Sequence, residues 1–210
     1  MLQAILETCT PQAKVFRKEI SALSAAMFSL RNHPVMITKR PGDIFMIDEI
    51  RDFYSKQPAN PKFIIVVRDP RSVLTSIHHS NSSYYVSVER WRSIFAKYMC
   101  VRNHSDVFVV SFDKLILNVE EIQCSLSDFI HCEFKIPFTE FHKHLPNSFQ
   151  SEALNTIRPL EPATIDKWKL STHRARPETL VKDEMPELCE RLIELGYEND
   201  DDWVSEFTSP

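Results

Sequence analysis

The stretch Phe63-Ile64-Ile65-Val66-Val67-Arg68-Asp69-Pro70-Arg71-Ser72-Val73-Leu74-Thr75-Ser76 decides the fold. Its first five residues are all apolar and mostly β-branched, which predicts a strand buried on both faces, as in a parallel sheet. Asp69 then supplies an N-cap and Pro70 a first helical residue. Val73, Leu74 and Ile77 line one face of the helix that follows. Arg68 therefore stands at the carboxyl end of a strand, where open α/β sheets bind ligands. The helix start offers unpaired N–H groups and the positive end of a dipole. A guanidinium there can grip a phosphate through two parallel hydrogen bonds, and Ser76, further along the helix, adds a hydroxyl. The pattern makes an anion site. The plainer alternative pairs Arg68 with a carboxylate and leaves Ser76 without a ligand.

Outward from this stretch, strands and helices alternate. Leu2, Ile5 and Leu6 share a helical face, as do Val15, Phe16, Ile20, Leu23, Met27 and Leu30. Pro34 to Thr38 reads as a short strand, Ile44, Ile47 and Ile50 as a helix, and Gln57 to Pro61 as a loop. Downstream, Trp91, Ile94, Phe95, Tyr98 and Met99 mark a helix, Val107 to Phe112 a second buried-type strand, and Val119, Ile122, Leu126, Phe129 and Ile130 another helix. A less regular region from about His131 to Trp168 precedes a helical tail, Glu178 to Leu195, with Gly196 as its C-cap. The alternation predicts one α/β domain over residues 1–210, a three-layer parallel sheet with helices on both faces.

With 210 residues, 43% of them hydrophobic, the chain can bury one core. A net charge of -4 and a pI near 6.1 argue against a nucleic-acid partner. The five cysteines are scattered, with no metal-ligand spacing, and read as reduced, buried thiols of a cytoplasmic protein. No cluster of ligand-type residues implies a metal. No apolar run reaches the length of a membrane span, and the first residues meet Glu7 too early for a signal peptide.

The apolar strand, Arg68-Asp69-Pro70-Arg71 and Ser76 eight residues after the first Arg resemble the 3′-phosphate-binding motif of PAPS-dependent sulfotransferases. Other segments fall in the family's order. Ile37-Thr38-Lys39-Arg40-Pro41 resembles the preceding strand that ends in Lys-x-Pro. His78-His79 and Arg90-Trp91 resemble the motif's own helix and the next one. Val110 to Leu115 resembles the Tyr-Glu-Asp-Leu strand end. Ile165-Asp166-Lys167-Trp168-Lys169 resembles a late basic segment with Trp, and Leu192 to Tyr197 the ending of bacterial members.

The resemblance implies a P-loop-type sulfotransferase fold and transfer of a sulfuryl group from PAPS to a hydroxyl or amine on a carbohydrate or small metabolite. It implies that Arg68 and Ser76 bind the 3′-phosphate and that Lys39 lies near the sulfuryl group. Read as a residue alone, Lys39 is equally well a surface lysine. The general base is open: Arg40 and Pro41 stand where cytosolic relatives carry a His, His78 and His79 shuttle protons or simply pack, and Asp48 and Glu49 are further candidates. Lys167, Lys169, His173, Arg174 and Arg176 close over the nucleotide or are solvated. The family's first strand and Gly-containing phosphate loop find no counterpart, so the donor site is expected to be incomplete, by truncation or by loss. A catalytically inactive nucleotide-binding or interaction module is the alternative function. Either an oligomer contact or a further segment is expected to cover the sheet edge.

Overall fold

The computed structural model describes residues 37–55, 60–77, 83–144 and 159–205. The helices expected before Pro34, the strand residues Pro34 to Met36, the loop centre at Gln57 and the histidines His78 and His79 lie outside them. The described residues fall into two compact units, divided between Phe63 and Ile64.

In the first unit, Pro41 opens a 3-10 turn, Pro41–Met46, which runs into helix α1, Ile47–Tyr54. The spacing of Ile44, Ile47 and Ile50 is that of this helical segment. Ile47 is its buried anchor, at 1% exposure. Ile37 and Thr38, expected to end a strand, are in no regular element, and Ile37 is exposed.

The second unit holds Arg68 and Ser76. Strand β1, Phe63–Val67, enters it and pairs with β2, Val107–Ser111, in a small parallel sheet. Parallel strands need a long crossover, and helices α2 (Pro70–Thr75) and α3 (Val88–Val101) supply it. The expectation that β1 is buried on both faces does not hold among the described residues. Ile64 and Val66 are 41% and 57% exposed, while Phe63, Ile65 and Val67 are half-buried. One face of the strand packs and the other stays open.

Ser87 caps α3 by accepting from the Arg90 N–H at 3.1 Å. The helix buries Val88, Trp91, Tyr98 and Val101, and Trp91 stacks on Phe95 with ring centroids 4.9 Å apart. After β2, helix α4 (Phe112–Leu117) is capped by Ser111, and α5 (Val119–Ile130) follows directly. One more helical turn, α6 (Phe141–His144), ends that region.

The tail departs from the single helix expected over Glu178 to Leu195. It forms α7 (Ala175–Thr179), a π-turn over Leu180–Glu184, a break at Met185, and α8 (Leu188–Leu195). Pro186 is the cause, since it lacks an N–H and disfavours helical geometry in the residue before it. Gly196 closes α8 at φ +74°, with the Tyr197 N–H bonded back to the Leu192 carbonyl at 2.9 Å.

The core gathers Leu74 from α2, Val88 and Trp91 from α3, Trp168, Leu180, Met185, Leu188, Leu192 and Trp203. The described thiols are not the buried ones expected: Cys100 and Cys124 are exposed, and Cys132 and Cys189 half-buried, all four unbridged, while Cys9 lies outside the described residues. No described helix is long and apolar enough to cross a membrane.

Candidate functional site

Arg68 follows β1 directly, one residue ahead of the α2 cap. Its guanidinium donates to the Thr164 carbonyl at 2.8 Å and lies over the Phe112 ring, 4.6 Å from the centroid. Among the described residues it forms no ion pair with a carboxylate. Burial lowers its pKa, opposed by the charges of Asp113 and Asp69. Arginine nonetheless keeps its proton. A half-buried cation held by a carbonyl dipole and a π-face is an acceptor of anions.

The carboxylate next to Arg68 in sequence, Asp69, is engaged by Arg71. Its Oδ1 accepts from the Arg71 backbone N–H at 2.7 Å and from Arg71 Nε at 3.1 Å. Its Oδ2 accepts from Nε at 3.1 Å and from Nη2 at 2.7 Å. At the N-terminus of α2 the Arg71 N–H is therefore taken by the Asp69 carboxylate and the Val73 N–H by the Asp69 carbonyl. This corrects the expectation that its N–H groups are open to a ligand, and a six-residue helix adds little dipole of its own.

Arg71 is the most enclosed charge in the unit, 2% exposed. Its guanidinium carbon sits 3.9 Å from the Trp168 ring centroid and 4.6 Å from that of Trp203. Its Nη1 pairs with Glu198 at 2.6 Å. The two tryptophans meet edge to face, 5.8 Å apart. Two carboxylates and two rings surround one fork, and the contact of Nη1 with Glu198 is an ion pair without hydrogen-bond geometry.

Ser76 stands at the opposite end of α2, as its C-cap, in extended conformation at φ -68° and ψ 128°. Its hydroxyl donates to the Ser72 carbonyl at 2.8 Å, beside Thr75, whose hydroxyl donates to Arg71 at 2.5 Å. Hydroxyls bonding back four residues compete with the helix ladder, and α2 stops there. Ile77, expected on the helical face, instead bridges Tyr84 in antiparallel fashion. Arg68 and Ser76 thus flank one short helix from its two ends. Lys39 is exposed, in the irregular segment of the first unit just before the 3-10 turn.

Two titratable groups complete the surroundings of Arg68. Burial, helped by Asp69, raises the Asp113 carboxyl, while Arg68 pulls it down. Burial pushes the Tyr197 phenol up to about 12, against a hydrogen bond with Ser111. Its hydroxyl donates to the Val67 carbonyl at 3.4 Å. Neither glycine lines a phosphate loop: Gly42 is the second residue of the 3-10 turn, and Gly196 ends α8.

Along the late segment, Arg176 stacks on Tyr84 at 4.0 Å, pairs with Glu184 and donates to the Leu74 carbonyl at 3.4 Å. Lys169 pairs with Asp166. These two are held by protein groups. Tyr84, Ser87, Glu89, Arg176 and Glu184 line an open groove of about 320 Å³.

This arrangement sits on a recognisable scaffold. The chain superposes on the sulfotransferase domain of the Synechococcus PCC 7002 olefin synthase with a TM-score of 0.56, covering 80% of this chain at 18% identity. The fold is that of a sulfotransferase domain. The chain spans 66% of the length of that solved chain. No family model and no curated protein matches the sequence.

Sequence reasoning placed Arg68 at the end of a strand and Asp69 at the cap of the next helix, where the structure has them. It missed Arg71 as the partner that occupies Asp69, and Thr164, Phe112 and Tyr197 as neighbours of Arg68. Only Trp168 carried a signal, as an aromatic inside a charged segment.

Proposed function

We propose that this chain binds PAPS, or its desulfonated product, through the 3′-phosphate and serves sulfuryl transfer to a hydroxyl or amine acceptor, on a carbohydrate or small metabolite. The observation that carries the reading is Arg68: a partly desolvated guanidinium at a strand tip, without an ion pair among the described residues and with the adjacent carboxylate of Asp69 engaged by Arg71. A phosphate dianion is the charge-matched, fork-matched ligand for such a group. Ser76 would contribute by turning its hydroxyl from Ser72 to a phosphate oxygen, a rotation hydroxyls make readily. PAPS supplies the activated sulfuryl group, and donor cations would stabilise the leaving phosphate. Lys39 takes its proposed role near the sulfuryl group from the sequence resemblance.

Calorimetry with adenosine 3′,5′-bisphosphate and with 5′-AMP tests this. Preference for the bisphosphate, lost in Arg68→Ala, supports it. Equal binding of both nucleotides, or of neither, rejects it. Lys39→Ala is expected to keep nucleotide binding and abolish sulfuryl transfer from PAPS.

A further inference from the structure

The Asp69–Arg71 clamp deepens the reading above and rests on it. We infer that Arg71 is a positioning residue for the anion site: it keeps the Asp69 carboxylate occupied, so that Arg68 stays available to a phosphate.

Arg68 and Asp69 are neighbours in sequence, and the carboxylate's charge already acts on the guanidinium. Left alone, they would pair and neutralise the site. They do not, because all four contacts of the Asp69 carboxylate go to Arg71. Arg71 in turn is fixed by Trp168, Trp203 and Glu198. The same clamp steadies the acceptor of Arg68, since the Trp168 turn, Lys167–Lys169, begins three residues after Thr164. Asp113, whose charge acts on Arg68 more strongly than that of Asp69, belongs to a separate element, α4, and forms no ion pair with it among the described residues. The clamp needs a fork. A lysine at position 71 would offer one compact ammonium, unable to span both Asp69 oxygens. One oxygen would then keep only the backbone N–H of residue 71, with a lone pair open to Arg68.

The test compares adenosine 3′,5′-bisphosphate with 5′-AMP by calorimetry on the whole chain, in wild type, Arg71→Lys and the double variant Asp69→Asn with Arg71→Met. In Arg71→Lys the preference for the bisphosphate is expected to fall about tenfold, the scale of one charged hydrogen bond, with 5′-AMP affinity unchanged. The double variant leaves no carboxylate at position 69 and keeps a capping side chain there, while releasing Glu198 from its pair on the far side of Arg71, so its preference is expected to match wild type. A purely structural role would weaken both nucleotides together and give no recovery in the double variant. Full preference in Arg71→Lys overturns the inference and leaves the nucleotide reading standing. Loss of preference in the double variant overturns it equally, and this result remains readable should Arg71→Lys fail to fold. Wild type without any preference rejects the nucleotide reading and the inference with it.

Discussion

The Arg68 guanidinium and the Thr164 carbonyl meet at 2.8 Å across 96 residues of sequence. This contact joins the tip of β1 to the late segment and gives Arg68 an orientation that its charge alone would not. Charge and geometry can be separated here. Arg68→Lys keeps the charge but loses the planar fork and its stacking on Phe112. Affinity for adenosine 3′,5′-bisphosphate is expected to drop by about tenfold or more, the cost of a charged hydrogen bond. The thermal midpoint should change little, because the site is only partly buried. Calorimetry and a melting curve on the same sample decide it, and equal affinity would mean that Arg68 acts as a point charge.

Asp113 opposes Arg68. Burial and the nearby Asp69 raise its carboxyl pKa, so folding favours the protonated form relative to the unfolded chain. The sign follows from linkage. The contribution favours the fold below the unfolded pKa and is lost as pH rises through the raised folded value. At neutral pH the ionised group is therefore a burden. Asp113→Asn should melt higher than wild type at pH 7, with the gap closing as pH falls through the carboxylate range. The same change removes a negative charge beside Arg68, so nucleotide binding should tighten. A lower melting point at pH 7 would show that Asp113 serves the start of α4 more than it strains the site.

His131 ends α5 in the left-handed region, at φ 53°. Its N–H bonds to Asp128 at 3.3 Å and that of Cys132 to Ser127 at 3.1 Å, a helix stop usually built on glycine. Non-glycine residues resist this conformation by about 1 kcal/mol or more. The chain has two glycines, and neither is here. His131→Gly is expected to raise stability by roughly 0.5–1 kcal/mol in chemical denaturation, the flexibility of glycine in the unfolded chain offsetting part of the relief. No gain would mean that the imidazole makes a compensating contribution.

Sequence alone carried β1, β2, the Asp69 cap, α3, α5 and the Gly196 stop, because each rests on local pattern: an apolar run, a capping side chain, helical spacing. What it lost was set by contacts distant in the chain or by competition for backbone groups. The open face of β1 depends on what packs against it, which Ile64 and Val66 cannot reveal by being apolar. The end of α2 at Thr75 comes from two hydroxyls taking carbonyls of their own helix. Arg68 was legible as a strand-tip cation. That Asp69 belongs to Arg71, and Arg71 to Glu198 and two tryptophans, required the folded chain.

Tyr197 offers a check on the buried side of the site. Its phenol is pushed up to about 12 chiefly by burial, with Asp113 and Asp69 adding to the shift. An unfolded tyrosine ionises near 10. A raised folded pKa on an acidic group gives stability that is complete below the unfolded value and disappears as pH climbs through the folded one. Between about 10 and about 12, wild type should therefore lose stability with a component that Tyr197→Phe lacks. The hydroxyl's 3.4 Å contact with the Val67 carbonyl is long, so its removal should cost at most about 1 kcal/mol at neutral pH. Denaturant melts of both proteins at pH 7 and at alkaline pH, with absorbance titration of tyrosinate, test this together. Parallel alkaline losses in the two proteins would show that Tyr197 ionises as a solvent-facing phenol and that the wall beside Arg68 is wetter than the geometry implies.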